Sequence, residues 1–219
     1  MSSSSPHTHS FDPDCPFCSL ANHSPPLTQN NIDVLPPNVL LSTPRVLAFL
    51  DVQPLTTSAA HILITPRAHT PTLLQLSSQD AKALGEALPA VARAAAKALG
   101  YNDQDSNDYN SSPDFNLIQN NGPGAGQTVP HVHFHLVFRK KNSSSSSSSS
   151  SSPTTGFSLD SDHTEKIAKT MLTDSNRFAK TPALRWSYAA QVFGRGQRTD
   201  LDDDWTHHIV PQLRKLIKL

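Results

Sequence analysis

Between residues 130 and 140 the chain reads PHVHFHLVFRK, with histidines at 131, 133 and 135 alternating with apolar residues. A period of two belongs to a β-strand, where alternate side chains share one face, so the pattern predicts three imidazoles on one side of a strand over 129–140. A strand needs a partner, and the preceding sequence supplies one. FNLIQN (115–120) is a second strand, and the Gly-rich NGPGAGQT (121–128) between them makes a β-hairpin the simplest connection. VLLSTPRVLAFLD (39–51) reads as two short strands around a Thr-Pro turn, and HILITP (61–66) as another, because such runs are too short for helices. One segment behaves differently. SSQDAKALGEALPAVARAAAKALG (77–100) places apolar residues at a helical spacing, with Ser77 or Ser78 to cap it and Gly100 to stop it. Pro89 inside that run predicts a kink or a break. The resulting fold class is α+β, short strands with one long helix.

The remaining segments divide the chain. Residues 1–13 are rich in Ser, Pro, His and Asp and read as a disordered leader. The Pro pairs in 23–38 argue against helix there. Residues 143–152 are all serine and cannot build a core, so 142–156 reads as a flexible linker. Beyond it, 157–219 reads as a helical C-terminal extension, with helical signals near 163–173 and again at 202–217. DLDDDW puts acids at the start of the last helix and RKLIK puts cations at its end, matching the helix dipole. FGRGQR (193–198) is a loop ahead of it, read as a flexible joint, with an Arg195/Arg198 patch that could reach a phosphate as the alternative.

Among 219 residues, 18 Lys and Arg balance 18 Asp and Glu. No global field then recruits nucleic acid or an anionic membrane, and an anionic ligand must be captured by local groups. No apolar run approaches the ~20 residues of a membrane span, and the N-terminus lacks the pattern of a secretory signal. The expectation is a soluble intracellular protein, cytoplasmic or also nuclear.

Two motifs carry chemistry. Neighbouring histidines on a strand are roughly 7 Å apart at the backbone, so one ion can be gripped by two of them but hardly by three. No acid follows in Leu136–Lys141 to complete a cupin-like set. A histidine nucleophile uses the spacing better, one ring nitrogen attacking while the other is fixed by a hydrogen bond. A phosphoryl group suits such a site, since its transfer depends on positioning and charge stabilisation, and the glycine-rich turn offers N–H groups to phosphate oxygens. The second motif is CPFC, which contains both cysteines, Cys15 and Cys18. A metal half-site, a redox pair and two inert thiols all remain open on spacing alone, although the Pro-rich surroundings disfavour the redox reading.

QNNGPGAGQTVPHVHFHLVFR resembles the signature of the histidine triad (HIT) superfamily, His-x-His-x-His with apolar spacers. VLAFLDVQPLTTSAAHILITPRAH (46–69) is similar to that family's upstream half, in which an aspartate follows a strand and a histidine opens the next. The likeness extends over roughly residues 14–141. It implies a HIT-like fold with about five antiparallel strands. It also implies a nucleotide hydrolase or transferase that works through a nucleotidyl-histidine, with His133 as nucleophile and His135 and His61 lining the phosphate. Asp51 is implied on the ribose hydroxyls, Phe49 and Val52 in the base and sugar pocket, and Asn120, Gln127 and Thr128 at the phosphate rim. Relatives with an N-terminal Cys-x-x-Cys imply structural Zn2+ on Cys15, Cys18, His69 and His131.

The resemblance places the chain between two branches. FNLIQNNG and HVHFHL are more similar to the Hint-like branch, which cleaves AMP–amine phosphoramidates. GPGAGQTV and FRK lean towards the Fhit-like branch, which cleaves diadenosine triphosphate. A nucleotide-sensing module with little turnover is the alternative of another class. Purine nucleotide conjugates are the implied ligands. The family commonly dimerises through the long helix and a sheet edge, which implies a homodimer here.

Overall fold

The computed structural model describes residues 10–27, 34–101, 112–140 and 197–219. The segment expected to be helical near 163–173 lies outside them, as do most of the leader and the serine run. The chain divides into two units, residues 1–139 with 197–219 and residues 140–196. The first unit holds the sheet and both sequence motifs. The sequence-based boundary assigns 157–219 to an extension, whereas the structure groups 197–219 with the sheet.

Five strands form one antiparallel sheet: β1 (Val39–Ser42), β2 (Val46–Leu50), β3 (Ser58–Pro66), β4 (Phe115–Gln119) and β5 (Phe134–Arg139), in the order β1-β2-β3-β5-β4. The expected strands are all present, and β4 and β5 pair as expected, with Ile118 opposite His135. Their connection is longer than a tight hairpin, because regular pairing begins only at Phe134. Of the three histidines, only His135 therefore lies in the strand. His131 and His133 precede it, in a stretch tied elsewhere: Val132 donates its N–H to the Thr70 carbonyl and its own carbonyl accepts from Thr65 Oγ1, each at 2.7 Å.

Alternation along the strands sends two sets of side chains in opposite directions. Val46, Ala48, Leu50, Ile62, Ile64, Leu136 and Phe138 join a core with helices on that face. Leu47, Phe49 and Leu63, on the other parity, form a second cluster with Cys15, Phe17 and Cys18. His61 and His135 share the parity of the second set, and so face away from the long helix.

Helix α1 (Pro16–Asn22) occupies the CPFC region, with Cys15 at its N-cap and proline in its first turn. Sequence reading missed this short helix; proline at the first helical position gives up only an N–H that would have no partner anyway. Helix α2 (Ser78–Ala98) runs 21 residues without a break. Pro89 lies on its exposed side, and the carbonyl it deprives of a partner belongs to Gly85, which is also exposed and open to water. Ser77 caps the helix by accepting from the Asp80 N–H at 3.1 Å, a contact worth about 1 kcal/mol. Its buried stripe, Leu84, Ala87, Val91 and Ala94, meets the sheet at helical spacing. Helix α3 (Asp203–Leu216) packs on α2 and β1, and Arg214 donates to the carbonyls of Val39 and Pro36, each at 2.9 Å. Among the described residues, no helix is long and apolar enough to cross a membrane.

Candidate functional site

The histidine segment serves two clusters. In the first, Cys15 Sγ lies 3.3 Å from His131 Nδ1, and Cys18 Sγ lies 3.4 Å from His69 Nδ1 and 3.7 Å from His131 Nδ1. All four ligand atoms fall within 4.8 Å of one another, a possible metal site. Each imidazole is oriented from outside. His131 Nε2 donates to the Pro66 carbonyl at 2.9 Å, and His69 Nε2 lies 3.5 Å from an Asp12 carboxylate oxygen. These contacts leave both Nδ1 atoms as the inward donors, the arrangement that metal-ligating histidines show. Burial pushes the Cys18 thiol up to about 11 and holds His131 down at about 4, so metal binding here is coupled to loss of thiol protons.

Several contacts fix this cluster in place. Arg67, which follows Pro66 at the end of β3, donates to the Ala21 carbonyl at 2.6 Å, the Ser24 carbonyl at 2.8 Å and the Thr43 carbonyl at 3.0 Å. One half-buried cation thus ties the end of α1 to the β1–β2 turn. The Phe17 ring stands edge-on to both His131 and His133, at 5.8 and 5.1 Å between centroids. Neither Arg67 nor Phe17 was singled out from sequence; the position of Phe17 between the two cysteines was the available clue.

The second cluster contains His133, His135, His61 and Asp51. His133 Nδ1 lies 2.6 Å from the His131 carbonyl, so that nitrogen is the protonated donor and Nε2 keeps its lone pair. His61 Nε2 lies 3.0 Å from His135 Nδ1. Asp51, just after β2, is 7% exposed. Its Oδ1 accepts from the Gln53 N–H at 3.0 Å, and its Oδ2 lies 3.4 Å from His61 Nδ1. Burial lowers all three imidazoles: His61 to about 4, against an opposing pull from Asp51, His135 to about 3, and His133 downwards. At neutral pH each ring is uncharged, the state in which a ring nitrogen is a nucleophile.

The other expected contacts distribute unevenly. Phe49 is buried and packs edge-on against Phe17 at 5.4 Å, while Val52 is 62% exposed at the rim. Thr128 is exposed and Asn120 half-buried. Gln127 holds the glycine-rich turn together: its amide donates to the Pro71 and Val129 carbonyls at 2.8 and 3.0 Å and accepts from the Gly122 N–H at 2.7 Å. Gly122 and Gly126 there both have φ of 83°, which explains their identity. Arg198, far along the chain, donates to Asp51 Oδ2 at 2.8 Å. The flexible joint read from sequence therefore does not describe residue 198, which is held against the Asp51 carboxylate.

Residues 33–142 match the HIT domain family. The chain is 32% identical over 128 residues to adenylylsulfatase HINT3 of Arabidopsis thaliana, covering 58% of this chain and 53% of that protein. It is 36% identical over 106 residues to adenosine 5'-monophosphoramidase HNT1 of Candida albicans, covering 48% of this chain and 64% of the relative. For adenosine 5'-monophosphoramidase HNT1 of Saccharomyces cerevisiae the figures are 31% over 160 residues, 73% and 84%. The chain thus spans about half the length of the plant relative and just under two thirds of the Candida protein. With a five-stranded antiparallel sheet, a histidine triad and a family match over half its length, the chain belongs to the HIT domain family.

Proposed function

We propose that the protein is a nucleotidyl hydrolase that cleaves AMP–amine phosphoramidates through an intermediate on His133. The observation that carries this reading is the 2.6 Å bond from His133 Nδ1 to the His131 carbonyl, which fixes the tautomer and leaves Nε2 as the attacking atom. Nε2 forms a bond to the α-phosphorus and the P–N bond breaks. The departing amine takes a proton from water at the exposed Thr128 rim. The hydroxyl part of that water then attacks phosphorus, the P–Nε2 bond breaks, and AMP leaves. One water is consumed: its proton goes to the amine and its OH to phosphorus. Dividing the displacement in two lowers each barrier. His135 hydrogen-bonds the phosphoryl oxygens, where charge develops. Asp51 takes the ribose hydroxyls, and Phe49 and Val52 flank the base and sugar.

Cys15, Cys18, His69 and His131 are proposed to hold Zn2+. Ligands at ordinary zinc distances stand roughly 3.3–3.8 Å apart around a tetrahedron, and the S···N separations of 3.3, 3.4 and 3.7 Å support that fit. With four protein ligands the ion supplies structure, not chemistry. A homodimer is the proposed assembly, supported by edge strand β4, where Phe115 and Leu117 are 45% and 48% exposed.

The test compares kcat/KM for an AMP–lysine phosphoramidate, adenylyl sulfate and diadenosine triphosphate on one preparation. Preference for the phosphoramidate is expected. Preference for the sulfate or the dinucleotide moves the chain to a substrate with an anionic leaving group. No turnover of any of them leaves a nucleotide-sensing module.

A further inference from the structure

Residues 197–201 run antiparallel along the loop after β2. Thr56 donates its N–H to the Gln197 carbonyl at 3.0 Å, Thr199 to Pro54 at 3.1 Å, and Leu201 to Val52 at 3.0 Å. An isolated bridge pairs Leu55 with Arg198 at the centre of this contact. The ladder carries Arg198 to Asp51, and Nη1 donates to both Asp51 Oδ2 at 2.8 Å and the Gln53 carbonyl at 2.6 Å. A loose surface ion pair would have little effect. Here the carboxylate is buried, and backbone hydrogen bonds hold the segment that delivers the cation.

The consequence lies one residue further in. Asp51 Oδ2 is also the oxygen 3.4 Å from His61 Nδ1, so the guanidinium on that oxygen offsets the pull its charge exerts on a proton at Nδ1. With the carboxylate's charge offset by the guanidinium, Nδ1 is the acceptor of the Leu55 N–H, at 3.4 Å. The His61 proton is then on Nε2 and is donated to His135 Nδ1 at 3.0 Å. That in turn leaves the His135 proton on its own Nε2. Take the cation away and the order reverses. His61 Nδ1–H turns to Asp51, Nε2 accepts from His135 Nδ1–H, and His135 offers a lone pair at Nε2. A lone pair repels an anionic phosphoryl oxygen, whereas an N–H stabilises it.

We propose that Arg198 is a positioning residue of the nucleotide site: by offsetting the charge of Asp51 at Oδ2 it sets the tautomers of His61 and His135 so that His135 presents an Nε2–H. The use of that N–H on phosphate rests on the proposed hydrolase reading; the tautomer assignment does not. The segment beyond residue 196 thereby becomes part of the site's chemistry.

The experiment is ring 15N NMR at neutral pH on the full chain, comparing wild type with Arg198→Ala and Arg198→Lys. In the wild type both His61 and His135 are expected protonated at Nε2. Arg198→Ala moves the His61 proton to Nδ1, and Arg198→Lys retains the wild-type pattern. Wild-type His61 protonated at Nδ1, or an Ala variant with unchanged tautomers, overturns the proposal. If Arg198→Ala gives a collapsed amide spectrum, Arg198→Met keeps the packed stem without the donors and takes its place in the comparison. On the phosphoramidate, kcat/KM falls ~10-fold or more with Ala and recovers in part with Lys, as loss of a charge-assisted bond implies. A wild type without turnover defeats the hydrolase reading alone, and the tautomers still decide the role of Arg198.

Discussion

The two clusters drawn from one short stretch of histidines differ in how their polar atoms are satisfied. Around Cys15, Cys18, His69 and His131 every inward donor faces another inward donor, and every outward nitrogen has a partner on the protein. Around His133 the pattern is open at one end. Its Nδ1 is committed to a carbonyl, and among the described residues neither its Nε2 nor that of His135 has a hydrogen-bond partner. The first arrangement suits an ion held for structure and the second suits a reacting group that comes and goes. The lesson is that residues two apart in a motif need not share a task; partners, not spacing, decide.

The sharpest way to break the comparison is His133→Ala. Turnover of the phosphoramidate is expected to fall by at least ~10³-fold, since the proposed covalent route is lost, while metal content by atomic spectroscopy stays unchanged. A parallel loss of metal would merge the two clusters into one functional unit. Next in size is His131→Ala, expected to lose bound metal and several kcal/mol of stability, because the binding energy of a structural zinc is folding energy. Retained metal would remove His131 from the ligand set.

The smallest effect is on pH dependence. His61 and His135 are held at about 4 and about 3 by burial, below the ordinary 6.5. A depressed folded value means that the unfolded chain takes up the proton first. Their stabilising contribution is therefore complete above about pH 6.5 and is lost as pH falls towards 4. Denaturant titrations at pH 7.5 and 5 should show lower stability at the acid end, and the acid limb of kcat/KM should lie below 6. A limb at 6.5 would mean that the rings titrate as exposed imidazoles.

Much of this was legible in local pattern. Short apolar runs and the alternating histidine stretch located all five strands, the Ser77 cap and Gly100 bracketed the long helix to within two residues, and the aspartate and histidines around 51 and 61 were assigned through their likeness to the family. Two local surprises have local physics. Pro89 sits on the wet side of α2, where a solvated carbonyl costs little, and proline after Cys15 starts a helix that composition concealed. Gln127 could be marked as polar but not as fully engaged with backbone groups of its own loop and of Pro71. Arg198 was the deepest loss. It meets Asp51 across 147 positions of chain, and nothing in GRGQRTD announces a partner that far away. Its contact is made by backbone pairing with residues 52–56, an interaction without side-chain signature.

His131 offers its ring to one cluster and its carbonyl to the other, with Val132 fully buried between it and His133. The H-x-H interval here is consequently a matter of length more than of strand periodicity, since β5 has not yet begun. A different aliphatic residue at 132 would preserve the ring-to-carbonyl bond. A single residue inserted or deleted there would misplace the proposed metal ligand and the proposed nucleophile together, so this stretch can drift in composition yet is closed to insertions and deletions.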